Sequence, residues 1–190
     1  MAREMKIKRV FIASPLFSVG ERQLCRLLVD IVENELKLEA YWAWSSADEE
    51  IIGKYIKDVP IEEGWQIRLR EKLREEGREE EADMIIFMSD KSLLERADIV
   101  IAVLDGPDVD SGTAWEIGYA YARGKPIIGV RTDTRTFMGS TSVNIMVKSC
   151  IEERGKEFFI QLDGKEGDIA DLRRTLKDKI SALIKKLEEG

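Results

Sequence analysis

The sequence predicts an α/β protein, a single doubly wound parallel five-stranded sheet with helices on both faces. Three observations point there. Short β-rich runs alternate with amphipathic helical patterns along the chain. One run, Asp98-Ile99-Val100-Ile101-Ala102-Val103-Leu104, is apolar without alternation, as in a strand buried on both faces of a parallel sheet. The 190 residues suit one domain, and a 44% hydrophobic fraction is enough for a core.

The first strand is Val10-Phe11-Ile12-Ala13, ended by Ser14-Pro15. After Gly20, the residues Leu24, Leu27, Leu28, Ile31, Val32 and Leu36 share one helical face. A second strand runs through Leu38-Glu39-Ala40-Tyr41-Trp42. The polar stretch 45–64 reads as a long loop or short helical insertion, and 65–96 as helix interrupted near Gly77. Together, residues 45–80 form a polar insertion with a charged helix inside one domain, 1–190. The densely charged section 62–81 reads as a solvated helix face. The strand 98–104 is followed by a turn-rich acidic loop and a helix over 113–123. Gly124 stops that helix, and Pro126 starts the strand Ile127-Ile128-Gly129-Val130. A short helix over 143–150 and a strand at Phe158-Phe159-Ile160 precede the last helix, 168–187. With this element order the flavodoxin-like arrangement is the default. Ligands then bind outside the carboxyl ends of the strands, at the switch between the first and third. Those ends are Ser14-Pro15-Leu16-Phe17 and residues 105–111.

Composition narrows the function. The 37 acidic residues outnumber 30 basic ones, and the two signs interleave on helices, which argues against a nucleic-acid partner. No apolar run approaches the ~18 residues that cross a bilayer and no signal-peptide pattern is present, so a soluble, cytoplasmic protein without a membrane partner is expected. Cys25 and Cys150 lie in helical patterns and form no disulfide framework. There is no histidine, which removes Ser-His and Cys-His pairs and makes a zinc site improbable. Acid–base chemistry falls to carboxylates, Lys, Tyr or Cys.

The acids gather in the expected place. Glu116 sits in what reads as the first turn of the helix after the third strand, where the helix dipole favours a carboxylate. The small residues Gly112 and Ala120, one turn either side, leave room for a substrate. A second reading has equal standing: Thr113-x-x-Glu116 matches a capping box, with Glu116 reaching back to the cap. Asp90 reads as lying just before the helix that leads into the third strand, and Asp105, Asp108 and Asp110 lie in the loop after it. Taken singly each Asp suits a turn or a cap. Taken together, converging carboxylates repel one another and raise pKa values, so that one donates a proton while its neighbour stays ionised. Glycosidic bonds are cleaved this way without histidine. Three acids within six residues are weak spacing for a divalent metal, and none is expected.

These residues resemble the nucleoside 2-deoxyribosyltransferases and their nucleotide N-glycosidase relatives. The resemblance runs from Val10 to about Cys150. It is carried by Phe11-Ile12-Ala13-Ser14-Pro15-Leu16-Phe17, by Ser89-Asp90 ahead of Ala97-Asp98-Ile99-Val100, and by Asp110-x-Gly112-x-x-x-Glu116-x-Gly118-Tyr119-Ala120. Gly124-Lys125-Pro126 and Val143-Asn144-Ile145-Met146 complete it. It implies transfer of 2-deoxyribose between nucleobases in purine and pyrimidine salvage, with no cofactor and through a covalent glycosyl ester on Glu116. Asp90 and Asp110 would contact and protonate the departing base. Phe11, Ser14, Pro15, Leu16, Phe17, Gly112 and Met146 would line the substrate site. Asn144 would hold the sugar hydroxyls, in this family often from a neighbouring subunit of a homo-oligomer. The family often has a tyrosine where Phe11 stands, whose hydroxyl bonds the nucleophile; Tyr119 or Tyr121 would have to substitute. Two alternatives stay open. One is hydrolysis of a nucleoside or 5′-monophosphate, for which Ser14, Ser89, Ser140 and Ser142 would hold the phosphate. The other is a non-catalytic nucleotide-sensing module.

Overall fold

A computed structural model describes residues 6–135 and 143–189. Five parallel strands form one sheet in the order β2-β1-β3-β4-β5: β1 Arg9–Ala13, β2 Glu39–Trp42, β3 Ile99–Val103, β4 Ile127–Arg131 and β5 Phe159–Gln161. The doubly wound expectation holds. The central strand β3 is buried at all five positions, as its unbroken apolar run requires.

Right-handed crossovers then place the helices. Helix α1 (Val19–Asp30) packs on β1 and β2. Its amino end is closed by a capping box in which the Ser18 hydroxyl accepts the Glu21 N–H at 3.1 Å and the Glu21 carboxylate accepts the Ser18 N–H at 2.6 Å. A π-helical turn, Ile31–Glu35, extends it and carries the contact with the last helix, α7 (Ile169–Glu189). On the other face lie α4 (Ala82–Arg96), α5 (Ser111–Ala122) and α6 (Ile145–Glu152), each packed against the next. Among the described residues no helix is long and apolar enough to cross a membrane. Both cysteines are free.

The insertion is more than a solvated face. It contains α2 (Glu49–Tyr55) and α3 (Trp65–Glu75), and the chain turns at Gly77, where φ is +71°. Ile52, Ile56, Trp65, Leu69 and Leu73 bury themselves against Ala82 and Ile85 of α4 as a second, smaller core. The Trp65 indole donates to the Ala43 carbonyl at 2.8 Å, tying the insertion to the end of β2.

Candidate active site

β1 and β3 run side by side, with Ala13 opposite Ala102, so the loops leaving their carboxyl ends open next to each other at the switch point. Helix α5 starts there. Asp110 is its N-cap: the carboxylate accepts the Thr113 N–H at 3.0 Å. Two expectations change in consequence. Thr113 is the third helical residue and not the cap, so Glu116 is the sixth and stands in the second turn. The Thr113–Glu116 capping box does not form. Asp90 also shifts in context: it lies inside α4, not ahead of a helix.

Between α4 and α5 is a cleft of about 310 Å³. Asp90 enters it from α4 and Glu116 from α5, with Gly112 at the amino end of α5. A side chain at Gly112 would place its Cβ 3.1 Å from a carboxylate oxygen of Asp110, so glycine keeps this approach open. Phe87, Lys91, Leu94 and Trp115 complete the lining. Phe87 and Trp115, each 45% exposed, meet edge to face at 5.5 Å. Trp115 is held from behind by Tyr119, stacked at 5.2 Å. These aromatic walls were readable only through helical spacing: Phe87 is one turn before Asp90, and Trp115 adjoins Glu116.

The carboxyls are poised by burial. Burial pushes the Asp90 carboxyl up to about 8, and its Oδ1 is buried with no hydrogen-bond partner. Burial, and then the charges of Asp90 and Asp110, push Glu116 well above the ordinary carboxylate range. Among the described residues none of these three acids forms an ion pair with Lys or Arg. At neutral pH Asp90 therefore holds its proton. Such a pair can donate a proton from one member and use the other as a carboxylate.

The other acids of the loop have structural work. Asp105 accepts the N–H groups of Thr132 at 2.6 Å and Asp133 at 3.0 Å, joining the loops after β3 and β4. Asp108 is exposed and accepts the Val109 N–H at 2.8 Å. Among the described residues no cluster of His, Cys, Asp and Glu is arranged to hold a metal ion.

The remaining residues named from sequence are scattered around this edge. Phe11 is fully buried in the main core and does not line the cleft; its ring is part of the sheet's packing. Ala120 is likewise a core residue. Ser14 accepts the Trp42 indole N–H at 3.2 Å, and the Leu16 carbonyl accepts the Arg22 guanidinium at 2.6 Å. Pro15 is buried, whereas Phe17 is exposed. Ser89 is wholly buried and accepts the Asp48 N–H at 2.8 Å, so it holds no phosphate. Ser140 and Ser142 lie outside the described residues. Neither proposed tyrosine reaches Glu116 as a substitute for the missing hydroxyl at Phe11: Tyr119 donates to Glu95, and the Tyr121 hydroxyl faces Glu153. Asn144 is the N-cap of α6, accepting the Met146 N–H at 3.0 Å, and Ile145 and Met146 beside it are 71% and 73% exposed.

Three comparisons bear on this arrangement. A family model described as nucleoside 2-deoxyribosyltransferase matches residues 10–161. An uncharacterized protein of Schizosaccharomyces pombe is 43% identical over 61 residues, which make up 30% of this chain and 29% of that relative, so less than a third of its length is matched. Among solved structures, a conserved protein from Enterococcus faecalis superposes with a TM-score of 0.55 at 20% identity, covering 93% of this chain and 99% of that one. A 2-deoxyribosyltransferase from Bacillus psychrosaccharolyticus superposes with a TM-score of 0.50 at 19% identity, covering 75% and 82%. At these identities the two structures share the fold.

Proposed function

Because the chain belongs to the nucleoside 2-deoxyribosyltransferase family, we propose that it transfers 2-deoxyribose from one nucleobase to another, acting on soluble nucleosides in the cytoplasm. One observation carries the reading. Asp90 and Glu116 line a single cleft from two helices, and Asp90 presents a buried carboxyl oxygen without a partner.

The first step forms a bond between a Glu116 carboxylate oxygen and C1′ of the sugar while the C1′–N bond breaks. The electron pair of that bond leaves with the base, which takes the proton held by Asp90. Asp110, the cap beside Gly112, contacts the same base. In the second step a nitrogen of the incoming base attacks C1′, the ester to Glu116 breaks, and the proton of the incoming base returns to Asp90. Phe87 and Trp115 keep water from the ester. Ser14, Pro15, Leu16 and Phe17, at the end of β1, border the base. Asn144, capping α6 among exposed apolar residues, reaches the sugar of a neighbouring subunit in a homo-oligomer, with Met146 packing at that contact.

Incubation with deoxyinosine, with and without adenine, tests this reading. Transfer yields deoxyadenosine only when adenine is present. Free sugar released without adenine would make the protein a hydrolase, and no product in either mixture would leave a nucleotide-sensing module.

A further inference from the structure

We propose that Asp48, in the insertion, is a positioning residue for Asp90: it anchors one face of α4 and thereby holds the opposite stripe of that helix, with Asp90, in the cleft. Asp48 is only 2% exposed. Its carboxylate caps α2, accepting the N–H groups of Glu50 at 3.1 Å and Ile51 at 3.2 Å. The other oxygen accepts the Ser92 hydroxyl and the Arg96 guanidinium, both at 2.6 Å. Its own N–H donates to Ser89 at 2.8 Å. One residue of the insertion therefore holds α4 at three successive turns.

The spacing on α4 explains the consequence. Ile85, Ser89, Ser92 and Arg96 recur every three or four residues and make one stripe, facing the insertion. Phe87, Asp90, Lys91 and Leu94 make another, facing the cleft. At 100° per residue the two stripes lie on opposite sides of the helix, about 180° apart, so a rotation of α4 about its axis moves Asp90 in or out. The second core, with Trp65, Leu69 and Leu73 packed on Ala82 and Ile85, resists tilting of the helix without directional bonds. Apart from the exposed Arg70–Asp83 ion pair at the start of α4, the Asp48 bonds supply the rotational setting. The titratable groups that line the cleft with Asp90 are Glu116 from α5 and Lys91 from α4 itself, while Asp110 at the cap of α5 acts on Glu116. None of them belongs to the insertion, so any effect of Asp48 on Asp90 travels through the helix.

The kinetic consequence rests on the reading of Asp90 as the proton donor; the positional one does not. In the full-length protein, the Asp90 carboxyl is titrated by ¹³C NMR, assigned with Asp90→Asn, in wild type, Asp48→Asn and Ser92→Ala. Asp48→Asn keeps an oxygen for the α2 cap and removes the charge that Arg96 meets. The midpoint of Asp90 is expected to fall by about one pH unit in both variants as the carboxyl gains water, and kcat to fall about tenfold with KM nearly unchanged, a fraction of the 10²–10⁴ that a general acid contributes. Unaltered Asp90 titration in both variants, whatever happens to Tm, would overturn the proposal and leave Asp48 a structural cap. Should Asp48→Asn not fold, Ser92→Ala combined with Arg96→Ala decides on the same titration. A wild type without activity on nucleosides would refute the proposed function while the Asp90 midpoint still decides the positioning.

Discussion

Asp90 on α4 and Glu116 on α5 line one cleft, and burial raises the proton affinity of both carboxyls. The arrangement costs stability. With a folded value of about 8 against roughly 3.9 in the unfolded chain, Asp90 holds a proton in the folded state that the unfolded state has released. Stability is therefore fully present below about pH 4 and is lost as pH rises through 8. Asp90→Asn removes this dependence. Its Tm is expected to exceed that of wild type by about 3 °C or more at pH 8.5, corresponding to about 1 kcal/mol, and to match it near pH 4. Calorimetry at the two pH values checks this; an equal change at both would place Asp90 in a hydrated setting.

The same proton has a catalytic signature. Asp90→Asn is expected to lower kcat for natural nucleosides by about 10²-fold or more, and far less for a substrate whose leaving group needs no protonation. In wild type the rate on natural nucleosides should decline above about pH 8, where Asp90 ionises. Equal losses on both substrates would assign Asp90 to binding.

Asp110 separates capping from charge. Asn caps a helix about as well as Asp, so Asp110→Asn should leave Tm nearly unchanged, whereas Asp110→Ala should cost about 1 kcal/mol. Both remove a charge that raises Glu116, so the acidic limb of the pH–rate profile, which follows ionisation of Glu116, should move to lower pH in both. An unmoved limb would separate Asp110 electrostatically from the nucleophile.

Asn144 tests the assembly. It caps α6 next to the exposed Ile145 and Met146, a polar group within an apolar patch. Glu116→Ala and Asn144→Ala proteins are each expected to be nearly inactive. Mixing them after mild dissociation should restore part of the activity, because some sites then combine an intact Glu116 with an intact Asn144. Confirmed subunit exchange without recovery would mean that each pocket is built from one chain.

Most of the fold was legible because the period of the apolar residues switches cleanly between strand and helix, and the unalternating run of β3 announced a strand covered on both faces. The second core of the insertion is masked by its charge: Trp65, Leu69 and Leu73 stand four residues apart, yet they bury themselves against α2 and α4, contacts between separate segments that no local pattern announces. The sequence alone puts Glu116 one turn too early because Asp110 and Thr113 are both good N-caps, and nothing local chooses between them. The motif around Phe11 points it at the substrate, whereas β1, buried on both faces from Val10 to Ala13, keeps it in the core. The meeting of Asp90 with Glu116 could be suspected from the topology, but their shared burial depends on how α4 packs against α5, which no local pattern encodes.

The central claim is that Glu116 becomes bonded to the sugar. Intact-protein mass spectrometry after rapid acid quench of wild type with a deoxynucleoside, in the absence of acceptor base, tests it most directly. One added deoxyribosyl group per chain is expected on wild type, mapped by peptide digestion to Glu116 and absent from a folded Glu116→Ala protein that turns over at less than about 1% of the wild-type rate. A Glu116→Ala protein that retains near-normal turnover, or an adduct mapped to another residue, would contradict the account.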